Sequence, residues 1–268
     1  MAEAKPSNMK KSNVRNQAGF TRTELAVVVG IVVVLALLLL PHFLGGPRAY
    51  AKAVRISCLN NLKQLGIGYR TFANDNGDQY PAYAASTNGG WSELLTKTNV
   101  GAYAWVNYAA MADELGQSPK VVICSADERM PAGHFVSKGS VDYASDAGFR
   151  NNLQVSYFAG VVTNDEYPQS LLGGDRNLGP GTVPDPGYGY SPMNGQGNDV
   201  IIKGPVCWSL KMHSAGNVAG SWNILLGDGS GQQTTSASFN AQYLTNAMHP
   251  VKIDGTTNNQ PGFRLIFP

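Results

Sequence analysis

The hydrophobic pattern changes character twice along the chain. Residues 25–40, LAVVVGIVVVLALLLL, are apolar without exception and offer no polar face in any regular projection. From Ala51 the apolar residues recur at three- and four-residue steps, at Ala51, Val54, Cys58, Leu62, Leu65 and Tyr69 or Phe72, opposite Lys52, Arg55, Asn61, Lys63 and Arg70. That stripe predicts an amphipathic helix. Beyond Tyr80 the apolar residues gather in short β-prone runs: KVVIC (120–124), LQVSYFAGVV (153–162), DVIIK (199–203), WNILLGDG (222–229) and FRLIF (263–267). Loops rich in turn residues separate them, which predicts short strands.

The first run continues through Pro41 and His42 to Phe43 and Leu44. About 20 such residues are needed to cross a hydrocarbon layer of ~30 Å as a helix, so the segment is long enough to span. Lys5, Lys10, Lys11 and Arg15 precede it and few charges follow, an asymmetry that keeps residues 1–19 cytoplasmic and puts the bulk of the chain outside. Pro41, Gly45, Gly46 and Pro47 weaken helical continuity before the amphipathic stripe. The cluster Asn74-Asp75-Asn76-Gly77-Asp78 ends it. If unbroken, residues 20 to about 73 span roughly 80 Å at 1.5 Å per residue.

No helices of useful length alternate with the short strands, which excludes a doubly wound parallel sheet. The pattern predicts an α+β fold in which a small antiparallel sheet packs on the amphipathic helix. Short helices are expected near 105–115 and 237–247. Residues 173–198, crowded with glycine and proline, read as a long surface loop, where Tyr188 and Tyr190 offer an aromatic sugar-binding surface as a minor alternative.

Composition narrows the function classes. With 268 residues and 43% hydrophobic content, the chain can build one domain with a core plus an appendage. The formal net charge of +2 is carried by the leader: four basic residues against Glu3 leave the remainder at −1. There is no polybasic footprint for nucleic acid. Cys58, Cys124 and Cys207 lack C-x-x-C spacing and a histidine pattern beside them, so no zinc site is expected. Either one disulfide with one thiol left over or three small buried hydrophobes fits them. The chain lacks a phosphate loop and a G-x-S-x-G elbow, Ser214 beside His213 has no acid at triad spacing, and His42, His134 and His249 have no partner motif. No catalytic residue, cofactor or metal is expected.

AGFTRTELAVVV, residues 18–29, resembles the class III signal of type IV prepilins and type II secretion pseudopilins. The resemblance implies a pilin-like fold, cleavage by a prepilin peptidase after Gly19, N-methylation of Phe20, and Glu24 as the fifth mature residue, which meets the N-terminal amine of a neighbouring subunit and sets filament register. Pro41 falls where many pilins carry a helix-kinking proline. CLNNLKQLGIGYRTFANDNGDQYP, from Cys58, resembles the stretch after the membrane helix in the bacterial pseudopilin-like group with a C-terminal His-to-Asp-Gly signature, and VVICSADE, with Cys124, resembles that group's second cysteine segment. This implies Cys58 and Cys124 as a disulfide pair. His213 and Asp228-Gly229 match the signature, although 14 residues separate His213 from Asp228 where the signature has nine. An Asp-Gly after an apolar strand also reads simply as a hairpin turn. The major pseudopilins hold calcium in a C-terminal loop, but Asp228 is the only carboxylate between residues 200 and 253, too few for six to eight oxygen ligands.

The expected organisation is a cleaved leader (1–19), a transmembrane and filament-core helix (20–44), the amphipathic half of that helix (45–75) and a periplasmic or extracellular globular domain (76–268). The expected partners are identical subunits, the prepilin peptidase and an inner-membrane assembly platform. Two other readings stand beside this one. An ordinary signal peptide would be cut near Leu44–Gly46, where no A-x-A pattern occurs. A single-pass anchored periplasmic domain binding a glycan or other polymer would use the segment only as an anchor.

Overall fold

The computed structural model describes residues 19–43, 47–95, 103–136, 148–161, 166–213, 220–244, 249–252 and 259–268. The expected leader up to residue 18, the Gly45-Gly46 break and Ser214 lie outside them. The chain divides into two compact units, residues 1–46 and 47–268.

The first unit contains α1, Arg22–Phe43, a 22-residue helix about 33 Å long. It is the one helix among the described residues long and apolar enough to cross a membrane, a property that anchors share with signal sequences. Its apolar side chains are solvent-exposed on every side, from 47% at Val28 to 69% at Leu38. Pro41 sits in its last turn.

The second unit opens with α2, Pro47–Asp75, 29 residues long. Proline at the first helical position costs nothing, because that N–H would have no helical partner. Cys58, Leu62, Leu65, Tyr69 and Phe72 are buried along one stripe, as the spacing predicts. The helix stops where Gly77 takes φ +64° and Asp78 φ +61°, and Asp78 N–H donates to the Ala73 carbonyl. α3 (Ser92–Leu95) and α4 (Ala104–Ala109) follow, the latter running into turns up to Gln117 in the region where a helix is expected.

Among the described residues, nine strands complete the unit: β1 (Tyr157–Gly160), β2 (Leu171–Asp175), β3 (Leu178–Pro180), β4 (Asn198–Ile202), β5 (Val206–Trp208), β6 (Trp222–Leu226), β7 (Gly231–Thr234), β8 (His249–Lys252) and β9 (Asn259–Phe267). Six of them form an antiparallel sheet in the order β4-β9-β1-β2-β6-β7, with β8 also paired to β9, and β3 and β5 form a separate hairpin-like pair. The short helix α5, Ser236–Phe239, continues as one π-helical turn to Leu244.

Both faces of the central strands β1, β2 and β6 are buried, and the two-residue strand period sorts the sheet's side chains between two cores. Tyr157, Ala159, Leu172, Leu225 and Ile266 face α2 with Cys58, Leu62, Leu65 and Tyr69. Phe158, Leu171, Ile224, Leu226, Leu265 and Phe267 point the other way, onto Leu178, Val206 and Trp208 of the small pair and Phe239 of α5. Burial on both faces explains why WNILL and FRLIF each carry a single polar residue, Asn223 and Arg264, in place of a regular polar alternation.

Two expectations are corrected. KVVIC is no strand: Pro119–Val122 is a 3-10 turn, with Pro119 at its start and Ile123 N–H bonded to the Lys120 carbonyl. Its apolar side chains cover α2 instead, with Val122 and Cys124 fully buried. The expected surface loop from residue 173 begins inside the sheet, because Leu171–Asp175 is a fully buried strand whose glycines serve close approach. A Cβ on Gly174 would stand 2.7 Å from the Phe158 ring. Within that stretch residues 181–197 run as loop, and Arg176 and Asn177 link β2 to β3.

Candidate functional site

The structure brings sequence-singled residues together at two places, one in each unit. At the start of α1, Thr21 is the residue before the first helical turn. Its backbone N–H donates to Glu24 Oε2 at 2.8 Å, its hydroxyl donates to the same oxygen at 2.8 Å, and Glu24 N–H donates back to Thr21 Oγ1 at 3.3 Å. This is a capping box, in which Thr and Glu three residues apart satisfy two N–H groups left over at a helix start. The TRTE sequence therefore has a purpose in local structure. Phe20 beside it is 80% exposed, and a Cβ at Gly19 would meet nothing within 4 Å, so the peptide bond between them is open to approach.

In the second unit, the signature residues both lie against α2, one near each end of its buried stripe. His213 is buried beside the Cys58–Cys124 disulfide, whose Cα atoms are 5.1 Å apart. Its Nε2 lies 3.4 Å from Cys124 Sγ, 3.5 Å from Asp175 Oδ2 and 3.3 Å from Asn223 Nδ2, and its carbonyl accepts a 3.2 Å bond from Arg55 Nη2. Asp175 Oδ2 also accepts from Asn223 N–H at 2.8 Å. Asp228-Gly229 forms the β6–β7 turn: Ser230 N–H donates to Asp228 Oδ1, and Gly229 has φ +81°. The turn sits directly on α2, since a Cβ on Gly66 would lie 2.4 Å from the Gly229 carbonyl oxygen. The hairpin reading of Asp228-Gly229 describes this geometry. The LGIG stretch holds its glycines for packing, Gly66 under this turn and Gly68 against Leu115.

Sequence reasoning had no means of finding Asp175, Asn223, Asp127, Arg129 or Arg176, which come from separate segments. Arg176 and Asp127 form a two-pronged ion pair with bonds of 2.7 and 2.8 Å and fully buried side chains. Burial raises the Asp127 pKa, but the Arg176 bonds and charge outweigh it and hold the carboxyl below its ordinary value. Arg129 donates to the carbonyls of Asn152, Val155, Pro192 and Pro268, tying four segments together. Burial, with the like charge of Arg176 next, lowers its pKa to about 10. Tyr188 lies with its ring centroid 3.5 Å from the Arg176 guanidinium, and Tyr190 packs on Phe267 at 5.3 Å. Both rings pack on the protein, Tyr188 buried and Tyr190 partly exposed. Buried phenols finish the joint between helices and sheet: Tyr80 donates to the Gly227 carbonyl, Tyr108 to Phe158 and Tyr157 to Cys58.

Cys207 is a buried free thiol 3.4 Å from Ser236 Oγ. The side chains of His42 and His249 lie outside the described ones. The chain matches no protein-family model, no curated protein and no solved structure.

Proposed function

We propose that the chain is a prepilin-like structural subunit, inserted in the inner membrane, cut between Gly19 and Phe20, and assembled through α1 into a type II secretion pseudopilus or a type IV pilus-like filament in the periplasm or outside the cell. The observation that carries this reading is α1 itself: 22 residues, apolar on all sides, with its single carboxylate tied into the first turn. A helix with no polar side needs an apolar surrounding on every side. Lipid supplies it before assembly, and the α1 helices of neighbouring subunits supply it in a filament core.

Glu24 gives this packing its register. Both capping bonds use Oε2, and among the described residues Oε1 has no partner. Cleavage after Gly19 leaves the Thr21 N–H in place, so the cap survives processing, and the new amine on Phe20 of a neighbour is a cation for the remaining oxygen. A carboxylate moved into an apolar bundle is costly without such a partner. Residues 47–268 have their own core.

Mass spectrometry of the chain purified from cells with an active prepilin peptidase tests the reading. The expected N-terminus is N-methylated Phe20. Retention of residues 1–19 overturns the filament reading and leaves the anchored polymer-binding domain.

A further inference from the structure

The buried disulfide stands inside a ready set of metal-binding groups. Cys58 Sγ, Cys124 Sγ and His213 Nε2 all lie within 4.8 Å of one another, and all three residues are buried. Asp175 Oδ2 is 3.5 Å from His213 Nε2, and the other oxygen, Oδ1, is buried with no hydrogen-bond partner. Such an orphaned carboxylate oxygen is uncommon in a protein interior and asks for a role. Tetrahedral zinc, with Zn–S near 2.3 Å and Zn–N or Zn–O near 2.0–2.2 Å, places its ligand atoms roughly 3.3–3.8 Å apart. The His213–Cys124 separation of 3.4 Å and the His213–Asp175 separation of 3.5 Å already match that spacing, whereas Asp175 stands outside the 4.8 Å set that the two sulfurs and His213 share and joins it only once the sulfurs part.

We infer that this cluster is a redox-gated site for a thiophilic divalent cation, zinc being the natural occupant: closed by the disulfide in the oxidised chain, and open in the reduced one as a tetrahedral site of both thiolates, the imidazole and the Asp175 carboxylate. A dithiol delivers two electrons and two protons to the Cys58–Cys124 bond, leaving two thiols and the reductant's own disulfide. The sulfurs then separate to non-bonded distance, and zinc binds with release of both thiol protons. His213 Nε2, which faces Asp175 Oδ2 in the oxidised chain, gives its proton position to the metal. Two thiolates neutralise Zn²⁺, and the Arg55 guanidinium bonds the backbone carbonyl of the ligand His213. Entry runs along a groove lined by Tyr50, Ala51, Val54, Ala126, Met212 and His213. Neither cysteine spacing nor an adjacent histidine announces the site, because its ligands come from α2, the segment after the Pro119 turn, β2 and the stretch before β6. The inference is independent of filament assembly.

The full chain in detergent micelles, reduced with a dithiol and freed of it under argon, is titrated with Co²⁺ as a spectroscopic stand-in for zinc. The expected result is one Co²⁺ per reduced chain, with thiolate charge-transfer and tetrahedral ligand-field bands that Zn²⁺ abolishes, and no such bands in the oxidised chain. Cys207→Ala leaves the titration unchanged. His213→Asn and Asp175→Asn each weaken binding by about tenfold or more, a loss of the size seen when metal-site groups are removed. Equal binding by the oxidised chain, an unchanged spectrum in His213→Asn, or loss of the bands in Cys207→Ala overturns the inference. Should His213→Asn not fold, the oxidised–reduced comparison and the isosteric Asp175→Asn variant decide the matter.

Discussion

α1 and α2 follow one another in the chain and are both long helices, yet they solve opposite problems. α1 is apolar on every side and exposed along its described length, whereas α2 has one apolar stripe and buries it on its own sheet. The first calls for apolar surroundings on every side. The second is completed within the molecule. Stability of the 47–268 unit and competence of α1 should therefore be separable by mutation.

A matched pair of charge insertions gives the largest expected effect. Leu62→Asp puts a carboxylate into a fully buried position of the α2 core. The expected cost is roughly 5 kcal/mol or more, comparable with the whole stability of many domains, so thermal unfolding of the 47–268 unit should vanish or fall by tens of degrees. Val33→Asp, half exposed in the middle of α1, should leave that transition where it was. Its expected effect is on membrane insertion, about 2.5–3.5 kcal/mol, read as a loss of the carbonate-resistant membrane fraction. Equal damage to the unfolding transition by both would break the division.

Next in size is the buried ion pair. Asp127→Asn leaves Arg176 and Arg129 buried without their carboxylate, and the expected loss is about 3–5 kcal/mol. The folded pKa of Asp127 lies below its unfolded value. The pair's contribution is thus fully present above about pH 4, the ordinary Asp value, and is lost as pH falls through the depressed folded value. Urea midpoints of the wild type should drop on acidification below pH 4, and those of Asp127→Asn should drop less. From Leu25 to Leu40 α1 contains no titratable group, so that span offers no matching dependence.

The glycines of the two helices sharpen the contrast further. A Cβ at Gly66 meets the Gly229 carbonyl oxygen at 2.4 Å and Leu225 Cδ1 at 2.9 Å, while a Cβ at Gly30 meets nothing within 4 Å. Gly66→Ala should destabilise the 47–268 unit by about 1–3 kcal/mol through overpacking. Gly30→Ala should leave its unfolding unchanged and favour helix by about 1 kcal/mol. Chemical denaturation of the two variants side by side checks both.

These contrasts also mark what the sequence made legible. Period alone located α1, the buried stripe of α2 and the strands around 200, 224 and 265, because a face repeated over several turns or a dense apolar run is a local signal. It misplaced Leu171–Asp175, where glycines that admit the Phe158 ring look like those of a turn. It read Pro119–Val122 as a strand because burial against α2 leaves the same apolar run that burial in a sheet would. The Asp175–His213–disulfide cluster and the Asp127–Arg176 pair were out of reach, since only the tertiary fold brings their residues within bonding distance.

The smallest effect is at the entrance to α1, where two explanations of one residue diverge. Glu24 can matter because it caps the helix or because it carries charge to a neighbouring amine. Glu24→Gln keeps an acceptor for the Thr21 N–H and hydroxyl, and glutamine serves in capping boxes as glutamate does, but the charge is gone. Thr21→Ala keeps the charge and removes the hydroxyl that accepts the Glu24 N–H, at an expected cost of about 1 kcal/mol to the first turn. Hydrogen exchange at the Glu24 amide should therefore quicken by roughly fivefold in Thr21→Ala, as that cost implies, and stay near wild type in Glu24→Gln. Filament yield should respond in the reverse order, collapsing in Glu24→Gln and falling only modestly in Thr21→Ala. Wild-type filament yield from Glu24→Gln would assign the carboxylate to the helix cap alone and remove the register role from it.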